Sequence, residues 1–262
     1  MQKEQMWAVV VFDIDGVVRD VSQSYRRAIA DTVAQFTQNA YRPTMEDIDN
    51  LKSEGIWNND WKASEELIYR YRETQGETRE NLTLDYQEIV DFFQGRYRGK
   101  NYDGYIATEP ILLSREYLAS LTANKIGWGF FSGATRGSAE YVLKTRLKLE
   151  NPILIAMEDA PGKPDPTGLF ATIAQIDAAL LENDVTPIIY VGDTVADIYT
   201  VNQAREQKTS KNWLAVGVLP PHVQTCADKK QNYANRLETA GAKVVLDNVE
   251  QLNSKLIGEL IS

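Results

Sequence analysis

The chain has 262 residues, with 28 Lys and Arg against 37 Asp and Glu for a net charge of −9. That balance argues against nucleic acid as a partner, because phosphate backbones demand concentrated cationic side chains. One cysteine, Cys226, excludes an internal disulfide framework and suits a reducing cytoplasm. No apolar run approaches the about 20 residues that span a bilayer, and Met1-Gln2-Lys3-Glu4-Gln5 lacks the pattern of a signal peptide.

In chain order, the first element is an apolar run from Trp7 to Phe12 that stops at Asp13-Ile14-Asp15-Gly16-Val17. An apolar run ending abruptly in carboxylates reads as a buried parallel strand that delivers acids to its C-terminal tip, where open α/β sheets keep their ligands. Strand alternation would send the two acids to opposite faces, so the backbone must turn, and Gly16 permits that. From Ser22 to about Tyr105 the pattern is helical and polar. Segments Ser24–Phe36, Thr44–Glu54, Asp60–Thr74 and Leu84–Tyr97 carry apolar residues at three- and four-residue spacing.

Beyond Thr108 helix and strand alternate. The expected order is helix Pro110–Thr122, strand Ile126–Phe131, helix Ser138–Leu147, strand Ile153–Ala156, helix Thr167–Leu181, strand Pro187–Val191 and helix Val195–Gln207. Strand Trp213–Val218, helix Gln224–Ala240 and strand Lys243–Leu246 complete it. The alternation predicts an α/β fold, a doubly wound parallel sheet of Rossmann-like type with an inserted all-α cap. The expected core is residues 1–20 and 106–262, and the expected cap 21–105. Gly95, Gly99 and Gly104 mark the return hinge and Asp20 to Ser22 the outward one.

Three more strand ends carry polar residues. Ser132-Gly133 follows the second strand, Gly162-Lys163-Pro164 the third, and Gly192-Asp193 the fourth, with Asp197 four residues on. Singly, each has a plain reading. Ser132 can cap a helix, Lys163 can sit in a stiff turn, and Asp193 and Asp197 can complement a helix dipole. Their ordered coincidence with Asp-x-Asp resembles the haloacid dehalogenase superfamily of phosphohydrolases, across essentially the whole chain. The long insert resembles the small helical cap of its subfamily I, which includes phosphoglycolate phosphatase-like enzymes.

That resemblance implies a Mg²⁺-dependent phosphomonoester hydrolase acting on a small phosphorylated metabolite through an aspartyl-phosphate. Asp13 would attack phosphorus, and Asp15 would protonate the leaving alkoxide and then take a proton from water. The Asp13 carboxylate, Asp15 main-chain carbonyl and Asp193 carboxylate would hold the metal. Asp197 would complete the metal site, more as a group that orients a metal-bound water or Lys163 than as a direct ligand. The set is costly alone, since two like charges at 4 Å repel by about 4 kcal/mol at an effective dielectric of about 20. Hard oxygen donors favour Mg²⁺ over zinc. Ser132 and the N–H groups of Gly133 and Ala134 would cradle phosphoryl oxygens, beside Gly16 in the first turn, and Lys163 would bridge phosphate and nucleophile.

Arg19 could reach the substrate or pair with a cap acid, and Arg136 could touch phosphate or face solvent. In the cap, Lys52-Ser53-Glu54-Gly55-Ile56-Trp57-Asn58-Asn59-Asp60-Trp61 offers a cation, amides and indoles suited to a sugar or polyol phosphate. Lys52 and Asn59 are the candidate contacts there. The alternative is that Trp57 and Trp61 pack into the cap while Asn58 caps the next helix. A phosphomutase of the β-phosphoglucomutase type would use the same core motifs, and a silent phosphate-binding module would carry the fold without turnover. The partner set is a small phosphate ester, without nucleic acid or membrane, in a monomer or homodimer.

Overall fold

The computed structural model describes residues 6–54, 56–57, 59–182 and 185–262. The chain packs as two compact units: one runs up to Asp20 and resumes at Pro110, and the other is Val21–Glu109.

The larger unit is built on a six-stranded, wholly parallel sheet. Its strands are β1 (Ala8–Phe12), β2 (Ile126–Phe131), β3 (Leu154–Ile155), β4 (Ile188–Gly192), β5 (Trp213–Val218) and β6 (Val244–Leu246), in the order β3-β2-β1-β4-β5-β6. All five β1 residues are fully buried, as a central strand covered on both faces requires. Ala8, Val10 and Phe12 enter one apolar layer together with Leu118, Leu121 and Leu143, and Val9 and Val11 enter the other with Leu169, Ile198 and Val201. Burying each such side chain contributes about 1.5–3 kcal/mol.

The chain leaves β1 toward β2 on one side and reaches β4 on the other, so the order reverses between β1 and β4. Open α/β sheets place ligands at such a switch point, beyond the carboxyl ends of the strands. Phe12 is level with Val191 of β4 and Phe130 of β2. Asp13, one residue past Phe12, and Asp193, two past Val191, therefore emerge at the same rim. The same strand order serves dinucleotide binding elsewhere, but the first turn here carries acids rather than a Gly-x-Gly-x-x-Gly loop, so the site and not the fold must decide the function.

Several helices depart from the periodicity. The segment expected as helix Pro110–Thr122 begins its helix, α5, only at Arg115 and ends at Ala123, capped by Ser114 Oγ on the Tyr117 N–H. Pro110 to Leu112 is instead extended against the first turn: Asp20 N–H donates to Pro110 O at 2.8 Å and Leu112 N–H to Val18 O at 2.8 Å. The helix expected over Ser138–Leu147 starts earlier, as α6 (Arg136–Glu140), and widens into a π turn over Tyr141–Arg146. The helix expected to Leu181 stops as α7 (Thr167–Ile176). Asp177 is extended at φ −163° and ψ 117°, and its side chain accepts from the Ala179 N–H at the start of a short helix α8 (Ala179–Glu182), the local competition with helix that Asp provides. Helix α9 is Val195–Gln207, and α10 is Ala227–Ala240 rather than starting at Gln224. A further helix, α11 (Ser254–Ile261), was not anticipated; Asn253 caps it and Ile257 is buried on the β1 layer.

The smaller unit is helical: α1 (Tyr25–Phe36), α2 (Met45–Ser53), α3 (Asp60–Thr74) and α4 (Tyr86–Tyr97). Helix α1 buries Ala28, Ile29 and Val33 against α3 and α4. A buried Arg26 pairs with Asp49, and Arg70 bridges Glu54 and Glu66. The second boundary between the units lies at Glu109/Pro110, four residues later than the sequence suggested.

Candidate active site

The tip of β1 is fixed by the backbone. Asp13 N–H donates to Val191 O at 2.8 Å, and Ile14 O accepts from the N–H groups of Val17, Val18 and Arg19, closing a tight turn. Gly16 adopts φ +77°, and a Cβ there would sit 2.1 Å from Asp193 Oδ2. Only glycine meets both demands, a left-handed backbone and direct contact with the neighbouring carboxylate.

Asp13 is 6% exposed. Its Oδ1 lies 2.8 Å from Lys163 Nζ, and the same ammonium donates to Asp197 Oδ1 at 2.6 Å. Lys163 follows Gly162 beyond β3, its bond to Pro164 is cis, and its Nζ stands 5.4 Å from both the Phe131 and the Tyr190 ring centroids. Oxygens of Asp13, Asp193 and Asp197 come within 4.8 Å of one another. Burial pushes the Asp13 carboxyl up to about 7 despite Lys163, with Asp197 and Asp15 adding repulsion. Burial likewise raises Asp193 well above the carboxylate range, assisted by Asp197 and Asp13. Burial alone would depress Lys163, but the two facing aspartates hold it above the usual lysine value. One ammonium therefore faces three clustered carboxyl groups, and burial disfavours ionising Asp13 and Asp193 together without a further cation.

Asp197 differs from its neighbours. It is wholly buried, and its Oδ2 accepts from Thr194 N–H at 2.9 Å and Thr194 Oγ1 at 2.6 Å, a capping box at the start of α9. Its Oδ1 takes Lys163 and lies 3.2 Å from the Tyr190 hydroxyl, which is also 3.0 Å from Phe131 O. With donors on both oxygens, Asp197 anchors Lys163, while one of its oxygens also lies within the three-aspartate cluster. Asp13 Oδ1, by contrast, is buried and its ion-pair contact with Lys163 is not aligned as a hydrogen bond. An under-satisfied buried carboxylate beside Asp193, with hard oxygen donors only, fits a Mg²⁺-sized cation. Asp13 and Asp193 would hold it with their carboxylates and Asp15 with its main-chain carbonyl.

Ser132 is 1% exposed at the tip of β2; its N–H donates to Ile155 O at 3.0 Å and its Oγ accepts from Ala134 N–H at 3.1 Å. The Ala134 N–H thus closes the serine turn, while the space beside Gly133 is open. Arg136 has a side chain 41% exposed to solvent; it pairs with Asp159 and with Glu140 at 3.4 Å, and its N–H donates to Glu158 at 2.8 Å. Arg19 is fully buried and bonded to Asp15. Tyr190, between Lys163 and Asp197, went unnoticed in the sequence because it occupies an ordinary inward position of β4.

In the helical unit, Lys52 pairs with Asp60 and lies 5.4 Å from the Tyr25 ring centroid. Asn59 is the N-cap of α3, accepting from the N–H groups of Trp61 and Lys62 at 3.0 Å each. The Trp57 indole donates to Glu54 at 2.7 Å. These groups serve the unit's own structure. Gly55 and Asn58 lie outside the described residues, as do residues 1–5. Among the described residues, no helix is long and apolar enough to cross a membrane.

The sequence profile of the haloacid dehalogenase-like hydrolases matches residues 7–205. A protein named imidazoleglycerol-phosphate dehydratase from Phytophthora nicotianae is 30% identical over 244 residues, covering 90% of this chain and 49% of its own length. The chain thus spans about half of that curated relative. Among solved structures, a phosphatase from Thermococcus thioreducens superposes with a TM-score of 0.61 at 22% identity, over 88% of this chain and 99% of its own. The CbbY protein of Rhodobacter sphaeroides, solved with phosphate, gives a TM-score of 0.59 at 15% identity, over 95% of this chain and 96% of its own. The structural likenesses speak for the fold. The profile spans every motif from Asp13 to Asp197, and with the parallel sheet and the acid-lysine cluster at its switch point it places this chain in the haloacid dehalogenase-like hydrolase family.

Proposed function

We propose that this protein is a Mg²⁺-dependent phosphomonoesterase of a small phosphorylated metabolite, working through an aspartyl-phosphate on Asp13. The observation that carries the reading is the buried Asp13 carboxylate at the switch point, 2.8 Å from a Lys163 that Asp197 holds from behind. Attack by Asp13 on phosphorus splits hydrolysis into two displacements. Lys163 keeps the nucleophile oriented and meets the negative charge of the phosphoryl group. Ser132 and the Gly133 N–H bind phosphoryl oxygens, and Asp15 handles the proton in both steps. Mg²⁺, when bound, would neutralise the carboxylates and draw charge from the transferring group. The helical unit is proposed to select the substrate.

The test uses labelled aryl phosphate. Wild-type enzyme should turn over with Mg²⁺ and stop in excess chelator. Asp15→Asn should accumulate hydroxylamine-labile label at Asp13, and Asp13→Asn should retain none. Label on Ser132 would overturn the assignment. Appearance of an isomeric sugar phosphate when hexose phosphate and a bisphosphate are supplied together would replace hydrolase by mutase.

The relative named for imidazoleglycerol phosphate favours a sharper reading. A chain resembling half of a protein named for a phosphorylated imidazole polyol suggests a substrate of that chemistry, a phosphate monoester of an imidazole-bearing polyol. Comparing kcat/KM for such an ester with that for glycerol phosphate and hexose phosphates tests it, and equal values would remove it.

A further inference from the structure

We infer that Arg19 is the positioning residue for Asp15, fixing one oxygen of that carboxylate so that the other carries the proton in both displacements. The inference rests on the proposed role of Asp15 as acid and base. Arg19 Nε donates to Asp15 Oδ1 at 2.6 Å, and Nη2 lies 2.6 Å from the same oxygen as an ion-pair contact that is not aligned as a hydrogen bond. Oδ2 is left for proton transfer. Asp15 itself is 36% exposed at its side chain, whereas Arg19 is completely buried, one of the largest side chains in the chain to be so. Placing a guanidinium there is costly unless its partners repay the lost hydration, so the position is not an idle one.

The backbone makes the arrangement stiff. Gly16 N–H donates to Arg19 O at 2.9 Å, Arg19 N–H donates to Ile14 O at 3.2 Å, and Arg19 bridges both Asp15 and Ile111 in β fashion. The flanking bonds Leu112 N–H to Val18 O and Asp20 N–H to Pro110 O, each 2.8 Å, clamp the turn against the extended stretch at Pro110. Asp13, Asp15 and Arg19 thus belong to one rigid turn, but Arg19 contacts the second acid and the nucleophile is held separately by Lys163. A planar guanidinium fixes the direction of its Nε–H and keeps its charge beside the same oxygen, which a lysine ammonium on a flexible stem cannot reproduce.

The chemistry this would serve is balanced within the two steps. As Asp13 Oδ forms its bond to phosphorus and the ester P–O bond breaks, the proton on Asp15 Oδ2 passes to the leaving alkoxide, releasing alcohol. In the second step Asp15 Oδ2 takes a proton from the water that attacks phosphorus, the Asp13–phosphorus bond breaks, and phosphate leaves with Asp15 again protonated. A misplaced Asp15 impairs both proton transfers. It leaves attack on an aryl phosphate intact, because a phenolate of low basicity departs without a proton.

The experiment compares wild type, Arg19→Met, Arg19→Lys, Asp15→Asn and the Arg19→Met/Asp15→Asn double variant on an alkyl and an aryl phosphate, with active sites counted by the phosphoenzyme burst. Arg19→Met should lower the first displacement on the alkyl ester at least 10-fold more than on the aryl ester and slow breakdown of the phosphoenzyme, with Arg19→Lys recovering part of both. In the Asp15→Asn background it should add no further leaving-group-dependent loss, since that part of its effect passes through the carboxylate. Equal losses on both esters that add to those of Asp15→Asn would make Arg19 structural and overturn the inference. A raised KM with unchanged kcat would overturn it too, making Arg19 a substrate contact. If Asp15→Asn itself shows no leaving-group dependence, the failure belongs to the acid-base reading of Asp15 rather than to Arg19. Should Arg19→Met not fold, Arg19→Lys and its double variant carry the same comparison.

Discussion

Replacing Asp197 by Asn separates an anchor of Lys163 from a metal ligand. The carboxylate accepts from donors on both oxygens: Thr194 N–H and Oγ1 on Oδ2, Lys163 on Oδ1, with the Tyr190 hydroxyl close by. An amide of the same shape has one acceptor oxygen and one NH₂ group. Turned one way, the NH₂ meets the Lys163 ammonium; turned the other, it meets the Thr194 N–H. Either orientation loses a charge-assisted bond, worth about 1.5–3 kcal/mol, and leaves a buried donor unsatisfied at about 1–3 kcal/mol. The combined loss is about 3–5 kcal/mol, with Lys163 spared the cost of full isolation by Asp13, 2.8 Å away. For a chain of this size that lowers Tm by about 6–20 °C. Turnover should fall by about 10²-fold, because Lys163 loses one of its two restraints beside the nucleophile. Mg²⁺ affinity, read by titration calorimetry on the folded variant, should largely survive. Asp193→Asn should do the reverse, losing Mg²⁺ affinity without a comparable drop in Tm, since burial already disfavours its charge. Loss of Mg²⁺ binding in Asp197→Asn at unchanged Tm would refute the anchor assignment.

Three further outcomes follow from the same geometry. Because burial raises the Asp13 carboxyl from 3.8 to about 7, the native state binds more protons there than the unfolded chain, so its stability contribution is full below about pH 4 and is lost as pH rises through about 7. Metal-free Asp13→Asn should therefore gain in Tm relative to wild type across that window, and saturating Mg²⁺ should cancel the gain; a relative loss would contradict it. Gly16→Ala should cost about 1–2 kcal/mol for its left-handed backbone and weaken Mg²⁺ binding as well, because the new Cβ displaces Asp193; normal affinity would show that the turn can relax. Asn59→Ala should cost about 1 kcal/mol as a lost helix cap with KM unchanged, whereas a raised KM at unchanged Tm would return Asn59 to the substrate.

What could be read from the sequence was set by where each residue's partners lie. The acids at the tip of β1 and β4 were legible because a buried strand announces itself by an unbroken apolar run and its end by a sudden charge, all within a few residues. Thr194 and Asp197 form a capping box, a pattern visible at three-residue spacing, whereas the reach of the same carboxylate to Lys163, 34 residues away, is no part of any local pattern and was expected only from the family resemblance, as one of two roles. The extended stretch at Pro110 was read as helix because its pairing with Val18 to Asp20 crosses a gap of about ninety residues. Helix α7 stopped short because Asp177 found its own hydrogen bond at Ala179, a contest that apolar periodicity does not register. Arg19 and Tyr190 mark the deeper limit. Each occupies a position where an apolar side chain would satisfy the local pattern equally well, and only the placement of a polar tip against Asp15 or Asp197 distinguishes it. Groups that perform chemistry sit at strand ends and punctuate the pattern, whereas groups that orient them are buried within it. Arg19 meets Asp15 only because the turn at Gly16 folds back on itself, and Tyr190 meets Asp197 only because the chain turns into α9 beyond β4, so each becomes interpretable only once the backbone path is known.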